Sequence, residues 1–179
     1  MRQLLLSACL LLLTACGNVP VEHYRDETPK LDLPHFFTGH VQATGIFQKR
    51  SGEVAKRFKV DIDGHMQGTN LILDERFVYS DGTRQQRTWT LVPTGNGGWR
   101  GTAGDVIGVA EGQVAGNTLH WRYTLDLEVD GSRHAVQLDD WMFLMDENTL
   151  VNRSYMSKFG VEVGQISLFF TRGAGAAAP

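Results

Sequence analysis

One stretch of alternating residues constrains this chain more than anything else in it. From Leu119 to Val129, the apolar residues Leu119, Trp121, Tyr123, Leu125, Leu127 and Val129 alternate with His120, Arg122, Thr124, Asp126 and Glu128. A period of two sustained over this length belongs to a strand with one dry face and excludes a helix. Phe58, Val60 and Ile62 interleave with Lys59, Asp61 and Asp63 in the same way. Turn signals recur between such segments: Ser51-Gly52, Asp63-Gly64, Asp81-Gly82, Gly95-Asn96-Gly97, Gly116-Asn117, Asp130-Gly131 and Glu147-Asn148. Most pair Gly with Asp or Asn, the residues that tolerate the positive φ of tight hairpins. The pattern predicts an all-β domain of roughly eight to ten long strands, closed as an antiparallel up-and-down barrel of the lipocalin or calycin kind. A two-sheet sandwich is the alternative.

Face consistency fixes the register, because a one-residue slip sends every side chain to the wrong side. Around Ser80-Asp81-Gly82, a three-residue loop pairs Leu71 with Leu91, Leu73 with Trp89, Glu75 with Arg87 and Phe77 with Gln85. A two-residue loop would set the leucines opposite the wrong face. Around Asp130-Gly131, a two-residue loop pairs Leu125 with Val136, Tyr123 with Leu138 and Trp121 with Asp140. Extending the same face around Glu147-Asn148 sets Arg153 opposite Met142 and Tyr155 opposite Asp140. The predicted inner face is therefore apolar and aromatic, with Glu75, Arg87, Asp140, Arg153 and Tyr155 embedded beside Trp89, Trp121 and Tyr123. Buried charges need partners. On the structural reading Glu75–Arg87 and Asp140–Arg153 are satisfied ion pairs, and Tyr155 or Trp121 donates to Asp140. On the functional reading these eight residues meet the polar head of a ligand. Trp141, Phe143 and Met145 make the opposite face of their strand apolar too, which calls for cover by the N-terminal segment or for docking on a membrane or partner.

The N-terminus carries a second signal. Met1-Arg2-Gln3 precedes an almost unbroken apolar run from Leu4 to Leu13, too short for the about twenty residues of a membrane-spanning helix. It fits the core of a secretory signal. Leu13-Thr14-Ala15-Cys16 reads as a lipobox, so residues 1–15 are expected to be removed and Cys16 to be acylated; an ordinary signal peptide with a chance cysteine is the alternative. Two or three acyl chains anchor stably where one does not. Gly17 in place of Asp favours the outer membrane, facing the periplasm, under the usual sorting rule. Residues 16–34, with Pro20, Pro29 and Pro34, read as a linker. Residues 35–172 are expected to form the barrel, and 173–179 a disordered Gly/Ala tail. Cys9 leaves with the signal peptide, so the mature chain can form no internal disulfide.

Seventeen basic and twenty acidic residues, with no basic stripe, argue against a nucleic-acid partner. Asp61-Ile62-Asp63-Gly64 lacks the later ligands of a calcium loop, and the six histidines show no metal-ligand spacing. Absent a P-loop, a nucleophile elbow or a dinucleotide fingerprint, no metal and no cofactor are expected.

Several segments together resemble a known family. They are Glu27-Thr28-Pro29-Lys30-Leu31-Asp32-Leu33, Gly45-Ile46-Phe47-Gln48, Phe77-Val78-Tyr79-Ser80-Asp81-Gly82 and Leu119-His120-Trp121-Arg122-Tyr123. Asp139-Asp140-Trp141-Met142 and Asn152-Arg153-Ser154-Tyr155-Met156-Ser157-Lys158-Phe159-Gly160 are the most specific. From about residue 24 to 171 the chain resembles the bacterial family called domain of unknown function 3833. The resemblance implies a small envelope lipoprotein with a lipocalin-like barrel, and carries no catalytic residues. The expectation is a non-enzymatic periplasmic barrel that binds a lipid, a fatty acid or another lipophilic molecule. An isomerase- or cyclase-type enzyme using Asp140, Tyr155, Glu75 and Arg153, or an assembly lipoprotein working through its outer surface, is the alternative.

Overall fold

The computed structural model describes residues 19–129 and 131–173. Ten antiparallel strands follow one another: β1 (Gly39–Lys49), β2 (Val54–Gln67), β3 (Asn70–Tyr79), β4 (Arg84–Gly95), β5 (Gly98–Thr102), β6 (Val106–Ala115), β7 (Thr118–Val129), β8 (Ser132–Leu144), β9 (Thr149–Lys158) and β10 (Val161–Arg172). Each pairs with its neighbours in sequence, and β1 pairs with β10, from Val41–Arg172 to Lys49–Gly164. The barrel is closed: among the described residues every strand has a partner strand on each side. The up-and-down barrel expected from the alternation is what the chain forms; the sandwich is excluded.

Alternate hairpins fall at opposite ends, and the two ends differ. At one end a helix, α1 (Leu33–Phe37), begins with Asp32 accepting a hydrogen bond from the His35 backbone N–H at 3.0 Å and with Pro34 in its first turn, where a missing N–H costs nothing. Phe36 and Phe37 stack edge-on, 5.0 Å between centroids, and Phe37 meets Phe170 at 5.9 Å. They join Val41, Ile62, Leu71, Leu150 and Phe170 in the buried core, so α1 plugs this end. Residues 16–34 read in the sequence as a linker between anchor and barrel. From Val19 onward the segment lies against the barrel: Val21, Leu31 and Leu33 are buried, and the Leu31 N–H donates to Gly116 O at 2.8 Å. The prolines break regular structure, but they leave these apolar side chains spaced to find the core.

Two turn signals change meaning. Asp63-Gly64 is interior to β2, and the chain reverses at Gly68 instead. A Cβ on Gly64 would collide with the carbonyl oxygen of Phe37; the glycine is there because α1 passes over it. Between β8 and β9, Asp146, Glu147 and Asn148 form a three-residue turn, closed by Met145 N–H to Thr149 O at 2.9 Å. The Asp146 carboxylate accepts from the Asn148 N–H at 2.8 Å, as Asp does in turns. This places Asn152 opposite Met142 and Ser154 opposite Asp140, one residue away from the expected register. The expected pairings at Leu71–Leu91 and Trp121–Asp140 are both found.

The outer strip on β8 is covered as the N-terminal reading required. Tyr24 packs edge-on against Trp141 and Phe143, and His120 stacks on Trp141 at 3.9 Å. Met145 remains exposed. Cys16 and residues 174–179 lie outside the described residues.

Candidate functional site

The alternation of β3, β4, β7 and β8 turns Glu75, Arg87, Trp89, Trp121, Tyr123 and Asp140 into the barrel, and the closed sheet brings these six together. Trp121 stands at the centre of the packing. Its indole lies over Gly101 and Gly112, where any Cβ would collide with it. Trp89 meets Trp121 and Tyr123 edge-on at 6.0 and 5.4 Å. Above this layer, toward the end opposite α1, the side chains of Phe77, Tyr79, Gln85, Tyr123 and Ile166 point inward yet retain partial solvent access. All but Gln85 pack against the core as its partly exposed margin, beside a second buried cluster of Leu125, Val136, Leu138 and Met156.

Two polar groupings are set in this wall. In the first, Arg87 donates to Asp105 through Nε at 2.9 Å and Nη2 at 2.7 Å, a bidentate geometry with fixed orientation. Its Nη1 stands 3.7 Å from Glu75 Oε2. Gln85 donates to Asp105 at 3.4 Å and accepts from the Tyr79 hydroxyl at 2.9 Å. Phe77 and Trp89 sit on the guanidinium at 5.4 and 5.9 Å. In the second grouping, the Tyr123 hydroxyl donates to Asp140 Oδ2 at 2.8 Å. Asp140 is 5% exposed and Ser154 2%.

Three buried oxygens here lack a well-formed hydrogen bond: Glu75 Oε2, which faces Arg87, and Asp140 Oδ1 and the Ser154 hydroxyl, which lie beside each other. Leaving such groups dry and unpaired costs on the order of 1–3 kcal/mol each. Burial pushes the Glu75 carboxyl up to about 7, against the pull of Arg87, with Asp105 and Asp140 adding to the rise. Burial also raises Asp140, while Ser154, Tyr123 and Asn152 hold it down. Tyr123 is raised by burial and by the neighbouring Asp140. The wall therefore holds carboxyl groups that keep their protons closer to neutrality than surface carboxylates do.

Arg153 and Tyr155 do not belong to this site. The three-residue β8–β9 turn points both outward, where the Arg153 guanidinium lies 5.7 Å from the Tyr155 ring and hydrogen-bonds Gln165. With Val19, Tyr24, Arg122, Asp139, Trp141 and Phe143 they border a shallow outer groove. The expected Asp140–Arg153 ion pair is absent, and Tyr123 takes the donor role assigned to Tyr155 or Trp121. Asp105 and Ser154 were not foreseen. Asp105 sits in the β5–β6 turn, outside any alternating pattern, and Ser154 was hidden by the register slip. Among the described residues, no group of three or more His, Cys, Asp or Glu is placed to hold a metal ion.

Fold and interior define the class: a closed, lipocalin-like barrel of ten strands with a polar cluster in its inner wall. Within that class the chain belongs to the family described as "Protein of unknown function (DUF3833)", whose model matches residues 10–172. Among solved structures it is similar to the S-type phycobiliprotein lyase CPES from Guillardia theta. The TM-score is 0.56 at 8% identity, over 79% of this chain and 91% of that one. It is also similar to a redesigned β-barrel, mFAP1, bound to DFHBI, with TM-score 0.42 at 11% identity over 76% and 95% of the two chains. No curated protein matches the sequence.

Proposed function

We propose that this protein is an envelope lipoprotein whose barrel binds a lipophilic small molecule without transforming it. One observation carries the reading. The buried oxygens of Glu75, Asp140 and Ser154 stand without a well-formed hydrogen bond in an aromatic wall. A wall built only to be filled would pair or exclude them; a ligand with an apolar body and one polar group satisfies them. The anchor reading rests on Leu13-Thr14-Ala15-Cys16: acylated Cys16 would hold the barrel at a membrane, in our proposal the outer membrane on its periplasmic side. A lipid or another lipophilic compound is then the nearest cargo.

Native mass spectrometry of the full chain, extracted from its host membranes, tests the binding. We expect a co-purifying small molecule; a clean apo mass in repeated preparations overturns the reading. Labelling with a radioactive fatty acid tests the anchor: label is expected in the protein and lost in Cys16→Ala.

The raised carboxyls favour a second reading, in which Asp140 and Glu75 exchange protons with a bound substrate. Incubating the co-purified molecule with the protein distinguishes the two. Conversion that is abolished by Asp140→Asn, with the molecule still bound, would make the barrel an enzyme.

A further inference from the structure

Resting on the binding reading above, we infer that the ligand's polar group is a positively charged nitrogen, a protonated amine on an apolar body, seated against Asp140, Ser154 and Glu75. The argument begins with charge. Glu75, Asp105 and Asp140 face Arg87 in this part of the wall, three carboxyls to one guanidinium. That guanidinium is already engaged, since Asp105 takes two of its N–H groups and Phe77 and Trp89 sit on it. A ligand carboxylate or phosphate would have to displace Asp105 from Arg87 or add negative charge to a wall already rich in carboxyls. The expectation of a fatty acid therefore meets the wrong charge in this wall.

The unpartnered atoms point the same way. Asp140 Oδ1 and Glu75 Oε2 accept no well-formed hydrogen bond, Arg87 only facing the latter at 3.7 Å, and the Ser154 hydroxyl beside Asp140 can accept as well. An ammonium group brings three N–H donors and no acceptor. Tyr123, Trp89, Trp121 and Phe77 supply aromatic surface around it, which favours a cation over a neutral head. Burial pushes the Glu75 carboxyl up to about 7, so the free barrel can hold a proton there. When the cation enters, a carboxyl proton leaves to solvent and the charge balance is kept. The groups facing Glu75 are Arg87 of β4, Asp105 of the β5–β6 turn, Tyr123 of β7 and Asp140 of β8; the cationic Arg87 favours loss of the Glu75 proton, and the carboxyls of Asp105 and Asp140 oppose it.

The test uses the full chain in a non-ionic detergent, titrated with octylammonium, octanoate and octanol and read through tryptophan fluorescence. Octylammonium is expected to bind at least roughly tenfold more tightly than octanoate or octanol. Its affinity should strengthen between about pH 6 and pH 8, as the protons it must displace become easier to lose. Asp140→Asn should weaken octylammonium roughly tenfold or more and leave octanol unchanged. Glu75→Gln is a second variant, expected to flatten the pH dependence. If octanoate or octanol binds as tightly as octylammonium, the assignment of charge is overturned while the binding barrel stands. If none of the three binds, the binding reading itself falls.

Discussion

The two ends of this barrel are made from the same alternating pattern and end up as different materials. At the α1 end, Phe36, Phe37, Val41, Ile62, Leu71 and Leu150 are nearly or fully buried, and hydrocarbon packs against hydrocarbon with the helix as a lid of fixed shape. Toward the other end, Leu125, Val136, Leu138 and Met156 form a second, smaller buried cluster, and the partly exposed Tyr79, Gln85, Arg87, Asp105 and Tyr123 set polar groups beside it. The dry end supplies stability by burial, and that surplus can carry the unpaired oxygens of the other half. The difference teaches where to look for polar chemistry: at and above the Trp121 layer, where charged groups sit beside the smaller apolar cluster.

Substitutions can break that division or sharpen it. The largest effect is expected at the dry end, where Phe36→Ala should cost about 3–5 kcal/mol in urea unfolding, since Phe36 is 1% exposed. A loss under about 1 kcal/mol would mean the lid contributes little. In the polar half, Arg87→Met leaves Asp105 and Glu75 facing each other, at a cost of about 3 kcal/mol near neutral pH. That loss should shrink in acid, as the carboxyls take up protons.

Glu75→Gln is expected to act in the opposite direction. The folded carboxyl is raised from 4.5 to about 7, so the neutral form favours folding fully below the lower value. That contribution fades as pH rises through the upper one. A permanently neutral Gln keeps it, so the variant should be more stable than the parent by up to about 3 kcal/mol near pH 8. In acid unfolding curves the two should coincide. A smaller effect, about 1–2 kcal/mol, is expected for Tyr123→Phe, which takes the donor from Asp140; the Asp140 carboxyl should also titrate at a higher pH by carbon-13 NMR. Arg153→Ala, on the outer face, should stay within about 0.5 kcal/mol by thermal melt.

The fold was legible wherever long alternation met a turn of definite type. Leu71 to Leu91 and Trp121 to Asp140 came out in register because large residues on both strands punish a slip at once. The β8–β9 hairpin gave no such warning. β9 places small or polar residues, Asn152 and Ser154, on its inner face and the larger Arg153 and Tyr155 outside, so the wrong register looked richer in chemistry than the right one. Asp146 was the available clue, as a side chain able to cap its own turn. Asp105 offered none: its role exists only because the closed sheet carries the β5–β6 turn over Arg87. Gly64 was misread because a glycine under a crossing backbone and a glycine in a turn look alike until the helix is in place.

The seam between β1 and β10 has a consequence for how the molecule is made. Val41 finds its partner at Arg172, nearly the last described residue, so the ring cannot close until almost the whole chain is available. Until then two strands present open hydrogen-bonding edges, the template on which neighbouring chains join. Pairings between distant parts of a chain also form slowly. A chain shortened within β10 would keep its hairpins and lose the circle, and its fate would be set by what its unpaired strands meet first.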